Sequence, residues 1–315
     1  MQPLDVSIII VNWNTRQLLR ECLASTYEHA GAVRCEIIVV DNASSDGSPD
    51  MVKTEFPKVR LVENAANHGF AHANNQAMAL ARGRYVLLLN SDTRLLDSAL
   101  PKVVAFGDQN PDAAVVGCRV LNPDRSLQPT CFMFPSTFNM VLSFTYLYKL
   151  FAASRLFGRE RMTWWGRDDI RPVDVVTGCF MLVRSRAIEQ VGVLDDGFFM
   201  YAEETDWCYR FRRAGWNILF TPHAEIIHHG GQSSRNMRPE MLIELRLSIL
   251  KFIRKHRGGL QHAIACILVL LFAAVRLPVW LFIHAFSNKR RAQAAVKVRA
   301  YSGCIRRILL QQRYA

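Results

Sequence analysis

Five consecutive apolar side chains, Tyr85 to Leu89, run without interruption into Asn90-Ser91-Asp92, and no other stretch limits the architecture so tightly. A run with no polar alternation leaves neither face for water. It suits a central parallel strand covered on both sides, and in open α/β sheets ligands bind beyond the carboxyl ends of such strands. Asn90 and Asp92 lie at that end with one residue between them. In extended backbone their side chains point the same way, so their oxygen atoms can converge on a hard cation such as Mg or Mn. Taken alone, the same three polar residues also read as a turn, since Asn, Ser and Asp commonly terminate strands.

The preceding chain repeats the pattern. Val6 to Val11 reads as a first strand with Asn12-Trp13-Asn14-Thr15 as exit loop and helix cap, and Arg16 to Tyr27 carries helical apolar spacing. Cys35 to Val40 is a second strand, ending at Asp41-Asn42-Ala43-Ser44-Ser45-Asp46-Gly47-Ser48. Val59 to Glu63 is a third, followed by the loop Asn67-His68-Gly69-Phe70 and an alanine-rich helix from Ala71 to Ala81. Alternating strand and helix predicts an α/β, Rossmann-like, mostly parallel sheet with helices on both faces. Neither Gly-x-Gly-x-x-Gly nor Gly-x-x-x-x-Gly-Lys occurs, which removes the glycine-lined approach to phosphate used by dinucleotide and P-loop sites.

The net charge of +12 suggests nucleic acid until it is located. The last acidic residue is Glu244, fourteen Lys or Arg follow it, and up to Glu244 there are 25 basic against 27 acidic residues. A nearly neutral body with a basic tail argues against a nucleic-acid groove and for a surface-seeking C-terminus. The eight cysteines are scattered without a Cys-x-x-Cys pair, consistent with buried free thiols in a reduced, cytosolic compartment. Asp5 before a short apolar run, with no basic leader, reads as a strand start and not a signal peptide.

The order Val11-Asn12-Trp13-Asn14, Val39-Val40-Asp41-Asn42-x-Ser44-x-Asp46-Gly47-Ser48, Asn67-x-Gly69-Phe70 and Leu88-Leu89-Asn90-Ser91-Asp92 resembles family 2 glycosyltransferases of the GT-A fold, in particular their rhamnosyltransferase-like branch. The resemblance covers roughly residues 4 to 235 and implies inverting transfer of a sugar from a nucleotide-sugar donor. It implies that Asp41 contacts the donor with Asn12 and Asn14 lining the same pocket, and that Asn67, Gly69, Phe70 and Asn74 cover it. Asp92 matches the last acid of the Asp-x-Asp metal motif, with Asn90 in place of the first. A divalent cation there stabilises the charge that develops on a nucleoside diphosphate leaving group.

Downstream, Ala113 to Cys118 reads as a strand followed by the turn Asn122-Pro123-Asp124-Arg125. Phe132 to Trp165 is aromatic and apolar without a clean period: either an acceptor-side loop region or a surface touching lipid. Asp174 to Val183 reads as one strand, with Gly178 where a ligand or backbone comes close, and it resembles the family's acceptor-side strand. Asp195 to Arg210 then holds Glu203-Glu204-Thr205-Asp206 at the start of an amphipathic helix ending near Gly215. Inverting transfer needs one general base for the acceptor hydroxyl. The family's Glu-Asp-x-Asp pattern puts Glu204 in that place, with Glu203 as the alternative and Asp206 orienting or binding acceptor; helix capping is the competing reading of all three. His228, ahead of a polar loop running to Ser234, matches a family histidine that completes the metal shell or meets the diphosphate.

The C-terminal region begins with a helix whose apolar face runs through Leu242, Leu245, Ile249, Phe252 and Ile253, broken by Gly258-Gly259. Ala263 to Phe286 follows, and as one helix its 24 residues reach about 36 Å, enough for a bilayer core of about 30 Å. Arg276 and Pro278 interrupt it and both flanks are basic, which favours a re-entrant or interfacial hairpin over a single span. Val298, Tyr301, Ile305, Ile308 and Leu309 continue as a helix suited to anionic lipid or, alternatively, to a homo-oligomer interface. These readings divide the chain into a nucleotide-sugar half (1–115), an acceptor half (116–240) and a membrane-association region (241–315). Together they describe a membrane-associated, divalent-cation-dependent transferase on the cytoplasmic face. Its donor is a dTDP- or UDP-sugar, rhamnose by resemblance, and its acceptor a glycan, polyprenyl-linked. A catalytically inactive scaffold of the same fold and a nucleic-acid binder using the basic tail are the rival readings.

Overall fold

The computed structural model describes residues 4–230 and 238–311. One compact unit takes in the chain through Phe134, Arg161–Phe199 and, among the described residues, 203–230; the other gathers Pro135–Glu160, Met200–Ala202 and the C-terminal helices.

The first unit is built on β1 (Val6–Asn12), β2 (Cys35–Asp41), β3 (Arg60–Glu63), β4 (Tyr85–Asn90), β5 (Thr93–Leu95), β6 (Ala113–Leu121), β7 (Cys131–Phe132), β8 (Arg171–Pro172), β9 (Val175–Val176), β10 (Phe180–Arg184) and β11 (Asn217–His228). The main sheet has the order β3-β2-β1-β4-β10-β6-β11-β5, with β8 pairing to β11 and β7 and β9 forming a separate ribbon. Pairing is parallel from β3 to β4, antiparallel on both sides of β10, parallel between β6 and β11, and antiparallel between β11 and β5.

Helices α1 (Arg16–His29), α2 (Ser48–Glu55) and α4 (Ala99–Gln109) cover one sheet face, and α3 (Phe70–Met78), α7 (Ser185–Val191) and α8 (Glu203–Arg213) the other. Alternate strand residues therefore enter different cores. Ile8, Ile10, Val39, Leu87 and Leu89 meet α1, α2 and α4, whereas Ile9, Ile38, Val40, Val86 and Leu88 meet the alanines of α3 and Trp207 and Phe211 of α8. The unbroken apolar runs follow from this two-sided burial. Every cysteine is a free thiol and all but Cys35 are buried.

One local expectation changes. The stretch from Asp174 to Val183 is two strands, not one: Val176 pairs with Cys131, the chain turns at Thr177–Cys179, and β10 starts at Phe180. Strands from either side of 115/116 share one sheet: β10 pairs with β4, and β6 and β11 lie between β10 and β5. Residues 135–160 group with the C-terminal helices.

The second unit contains α5 (Thr137–Thr145), α6 (Leu147–Leu150), α9 (Arg238–Arg257), α10 (Gly259–Phe286) and α11 (Arg291–Gln311). Ser136 caps α5 by accepting from the Asn139 amide at 3.1 Å. α9, α10 and α11 pack along one another, and Gly303 lets α11 approach α9 so closely that a Cβ there would lie 2.4 Å from Ile243 Cδ1. The turn back expected near Arg276 and Pro278 is absent: α10 runs through both, and the reversal comes at Ser287–Arg290, between α10 and α11. The Arg276 guanidinium is satisfied inside the unit, donating to the Phe144 carbonyl at 2.7 Å. α10 has a mean hydropathy of 2.5 over its most apolar window and is the one helix among the described residues long and apolar enough to cross a membrane.

Candidate active site

The carboxyl ends of β1, β2 and β4 are joined by a chain of buried side chains. Asn12 Nδ2 donates to Asp41 Oδ1 at 2.8 Å and to Ser44 Oγ at 3.1 Å, while the Ser44 amide donates to Asp41 Oδ2 at 2.8 Å. Thr15 Oγ1 donates to Asn12 Oδ1 at 2.7 Å and lies 2.8 Å from Ser91 Oγ. Asp41 is only 2% exposed, and these donors compensate its carboxylate. Asn14 holds a left-handed φ of 53° and accepts from the Ser45 amide at 2.8 Å, tying the β1 exit loop to the β2 exit loop. Asp41, Asn12 and Asn14 thus line one rim of the sheet.

The loop before α3 closes over this rim. Asn67 Oδ1 accepts from the Gly69 amide at 2.9 Å, forming an Asx turn. Gly69 has φ +84°, and a Cβ on it would lie 2.3 Å from the Phe199 carbonyl oxygen, so backbone approach and conformation both demand glycine. Phe70 donates its amide to that same carbonyl at 2.9 Å. Gly178 faces the Phe70 ring, and a Cβ on this glycine would lie 3.1 Å from the ring carbons, so the close approach expected here is made by an aromatic side chain. Asn74 donates to the Phe70 carbonyl at 2.8 Å, one turn back in its own helix.

At the tip of β4, Asn90, Asp92 and His228 meet. The short strand β5 pairs antiparallel with β11 and sets His228 opposite Thr93. His228 Nε2 then lies 3.2 Å from Asp92 Oδ1 and 3.2 Å from Asn90 Nδ2. A residue outside every sequence motif, Gln128, orients the ring. Gln128 Nε2 donates to the His228 carbonyl at 3.1 Å and to Asn122 Oδ1 at 2.8 Å. A carbonyl can only accept, so the amide orientation is fixed and Gln128 Oε1 accepts from His228 Nδ1 at 2.6 Å. In the neutral ring Nε2 is then the lone-pair nitrogen, turned toward a carboxylate. Nothing local signals this role: Gln128 lies 100 positions from His228 and reaches it only through the turn after β6.

Among the described residues no group of three or more His, Cys, Asp and Glu forms a metal cluster. The tip offers instead one carboxylate, one imidazole nitrogen and one amide, a set that suits a divalent cation whose remaining positions are filled by ligand oxygens.

The acidic cluster opens α8. The Glu204 carboxylate has a buried Oε2 with no hydrogen-bond partner, and burial raises its pKa above the ordinary 4.5. Glu203 is buried beside it. Asp206 is buried too, but it accepts from Arg210 Nε at 2.8 Å, and Arg210 also donates to the carbonyls of Val191 and Val193. That arginine neutralises Asp206 and fastens the loop before α8. The charges of both acidic regions reach Cys179, whose thiol is pushed up to about 12, first by burial and further by Asp92 and Glu204.

The model of the glycosyl transferase family 2 matches residues 7–153, the segment that carries Asn12, Asp41, Asn90 and Asp92. The N-acetylglucosaminyl-diphospho-decaprenol L-rhamnosyltransferase of Mycobacterium tuberculosis is 28% identical over 240 residues, covering 72% of this chain and 77% of the relative. The rhamnosyltransferase WbbL of Escherichia coli is 27% identical over 177 residues, 54% of this chain and 64% of the relative. The chain is a glycosyltransferase that carries a family 2 domain. In fold, this glycosyltransferase is similar to a mannosyltransferase of Pyrobaculum calidifontis solved with GDP-Man and Mn2+. The TM-score is 0.58 at 18% identity, covering 97% of this chain and 88% of that one. GalNAc-T7, solved with UDP, GalNAc and Mn2+, gives a TM-score of 0.54 at 15% identity, over 72% of the glycosyltransferase and 44% of its neighbour. The sheet, its covering helices and these neighbours establish a GT-A fold, and the rhamnosyltransferase relatives place the enzyme in cell-surface glycan synthesis.

Proposed function

We propose that this glycosyltransferase moves a sugar, rhamnose first among candidates, from a dTDP- or UDP-sugar onto a polyprenyl-linked glycan with inversion at the anomeric carbon. The observation that carries the reading is an electron-rich tip (Asp92, His228, Asn90) together with a carboxylate whose buried Oε2 has no hydrogen-bond partner (Glu204), the charges of Asp92 and Glu204 both reaching the Cys179 thiol. The acceptor is suggested by the mycobacterial relative, an N-acetylglucosaminyl-diphospho-decaprenol L-rhamnosyltransferase.

In this reading Asp41, held by Asn12 and Ser44, receives the nucleoside, and the Asn67-to-Asn74 segment covers it. Asp92, His228 and Asn90 would hold a Mg or Mn ion, whose positive charge stabilises the diphosphate leaving group. Glu204 takes the proton from the acceptor hydroxyl as that oxygen attacks the anomeric carbon from the face opposite the departing diphosphate. Its raised pKa brings the base closer to the working pH, which favours proton transfer. Glu203 is the second candidate for this role, and Asp206 with Arg210 positions the helix that carries both.

The second unit supports a membrane location. Leu260, Ile267, Leu271, Val275, Phe282 and Phe286 are exposed along α10, and the turns that bound the helix are basic. Cations at both ends favour the cytoplasmic leaflet, where nucleotide sugars are available. A second copy of the chain is the poorer occupant of this face, because it would set two basic rims against each other.

A panel of nucleotide sugars, scored for Mn-dependent release of the nucleoside diphosphate with and without a polyprenyl-diphosphate acceptor, tests the reading. Acceptor-stimulated release from one dTDP- or UDP-sugar is the expected result. Nucleotide-sugar binding without any release or transfer would overturn it in favour of an inactive scaffold.

A further inference from the structure

The helical unit holds a cationic cluster that sugar transfer does not use. Arg276 stacks on Phe272 with its guanidinium 3.9 Å from the ring centroid, and Arg246 lies over the same ring at 5.0 Å. Arg246 also covers Phe144 at 5.1 Å, and Arg276 covers Tyr146 at 5.1 Å. Two guanidinium groups thus share one aromatic ring. Lys297 stands close enough that the charge of Arg246, after burial itself, lowers its pKa. Among the described residues none of these three cations forms an ion pair with a carboxylate. Glu160, whose field reaches Arg246, is hydrogen-bonded to Ser143.

Stacking on aromatic faces offsets part of the cost of holding two like charges together, and the remaining N–H donors suit an anion with several oxygens. The apolar half of a ligand has a place beside them. A groove of about 210 Å³ runs between α5 and α10, lined by Val141, Phe144, Leu268, Leu271, Phe272 and Val275, with Arg276 on its wall. Val141, Leu271 and Val275 are themselves exposed, so the groove opens onto the apolar face of α10.

We infer that this groove is a binding site for a phosphate lipid of net negative charge, Arg246 and Arg276 taking the phosphate and the α5–α10 groove taking the chain. The inference deepens the membrane part of the proposed function and is independent of sugar transfer.

The test uses the full chain in neutral detergent micelles, where no anionic surface exists and only a built site retains a charged lipid. Native mass spectrometry with phosphatidylcholine, phosphatidylglycerol or a polyprenyl phosphate reads the number of lipids held. One net-anionic phosphate lipid per chain is expected, phosphatidylglycerol or polyprenyl phosphate being held in preference to the zwitterionic phosphatidylcholine. Tighter retention of the polyprenyl phosphate assigns the site to the carrier chain, and equal retention assigns it to bilayer lipid. The Arg246→Gln/Arg276→Gln variant should bind roughly tenfold more weakly or worse, whereas Lys289→Gln/Arg290→Gln, equal in charge change but on the exposed turn, should stay near wild type. Arg246→Lys/Arg276→Lys keeps the charge and should keep the preference, which separates charge from packing. Equal retention of all three lipids, or equal behaviour of the two glutamine variants, overturns the site. So does a lysine variant as defective as the glutamine one. A chain that transfers sugar yet retains no phosphate lipid sinks this inference alone.

Discussion

Replacing Glu204 by glutamine keeps the side-chain volume and removes the proposed base, and the structure predicts opposite effects on activity and stability. A general base contributes about 10²–10⁴-fold, so kcat/KM should fall by that factor, equivalent to roughly 3–5.5 kcal/mol of barrier at ~1.36 kcal/mol per tenfold. Stability should move the other way. Oε2 is buried without a hydrogen-bond partner, and a buried unsatisfied group costs about 1–3 kcal/mol. Glutamine removes the charge but leaves a polar atom in that place, so only part of this cost, on the order of 1 kcal/mol, is relieved, a rise in Tm of about 2 °C. The pH dependence has a definite sign. Burial raises the folded-state pKa above 4.5, so the folded state binds more protons than the unfolded state in the window between the two values. Stability contributed by this carboxyl is therefore complete below the unfolded value and is lost as pH rises through the folded one. Thermal unfolding of wild type and Glu204→Gln at acid and at mildly alkaline pH should show the variant's advantage growing with pH. The kcat/KM profile of the wild type should fall on the acid side as Glu204 takes up its proton. A variant that melts lower at every pH, or that keeps more than about a tenth of the activity, would refute the assignment of Glu204 as an unpartnered base.

Gln128→Leu frees the His228 ring and should raise the Mn concentration for half-maximal activity roughly 10–100-fold with a smaller change in kcat at saturating Mn; a Mn EPR titration without donor checks the same loss, and an unchanged titration rejects the orienting role. Asp92→Ala should abolish transfer, because it removes the only carboxylate of the β4 tip, whereas Asn90→Asp restores a second acid and should lower the half-saturating Mn concentration; steady-state assays over a Mn series measure both. Gly69→Ala forces a Cβ to 2.3 Å from the Phe199 carbonyl oxygen at a left-handed φ; a loss of about 1–3 kcal/mol by urea unfolding, with a raised donor KM, is expected.

The nucleotide-sugar side of the sheet was legible because each strand there is a local apolar run ending in polar residues. Val6–Asn12, Cys35–Asp41 and Tyr85–Asn90 could be placed from burial on two faces alone. The tip could be suspected from Asn90 and Asp92, but not its orienting residue: Gln128 acts through one hydrogen bond across 100 positions, a relation with no periodicity. The break between β9 and β10 was hidden for a similar reason. Thr177–Cys179 is apolar enough to continue a strand, and only the Phe70 ring against Gly178 shows why the chain turns. Residues 135–160 lacked a pattern because their partners lie in α10, and Arg276 read as a membrane interruption because its acceptor, the Phe144 carbonyl, is 132 positions away.

The antiparallel pairing of β5 with β11 places the third member of the β4 tip 138 positions beyond Asn90. A chain growing from its N-terminus can form the parallel β1–β2–β4 core early, yet it has no His228 at the tip until the twelve residues of β11 have been made and inserted beside β6. Contacts of such long sequence separation form slowly. In the proposed reading the order of synthesis therefore acts as a quality check, because the candidate cation site lacks His228 in any chain that has not yet made and inserted β11.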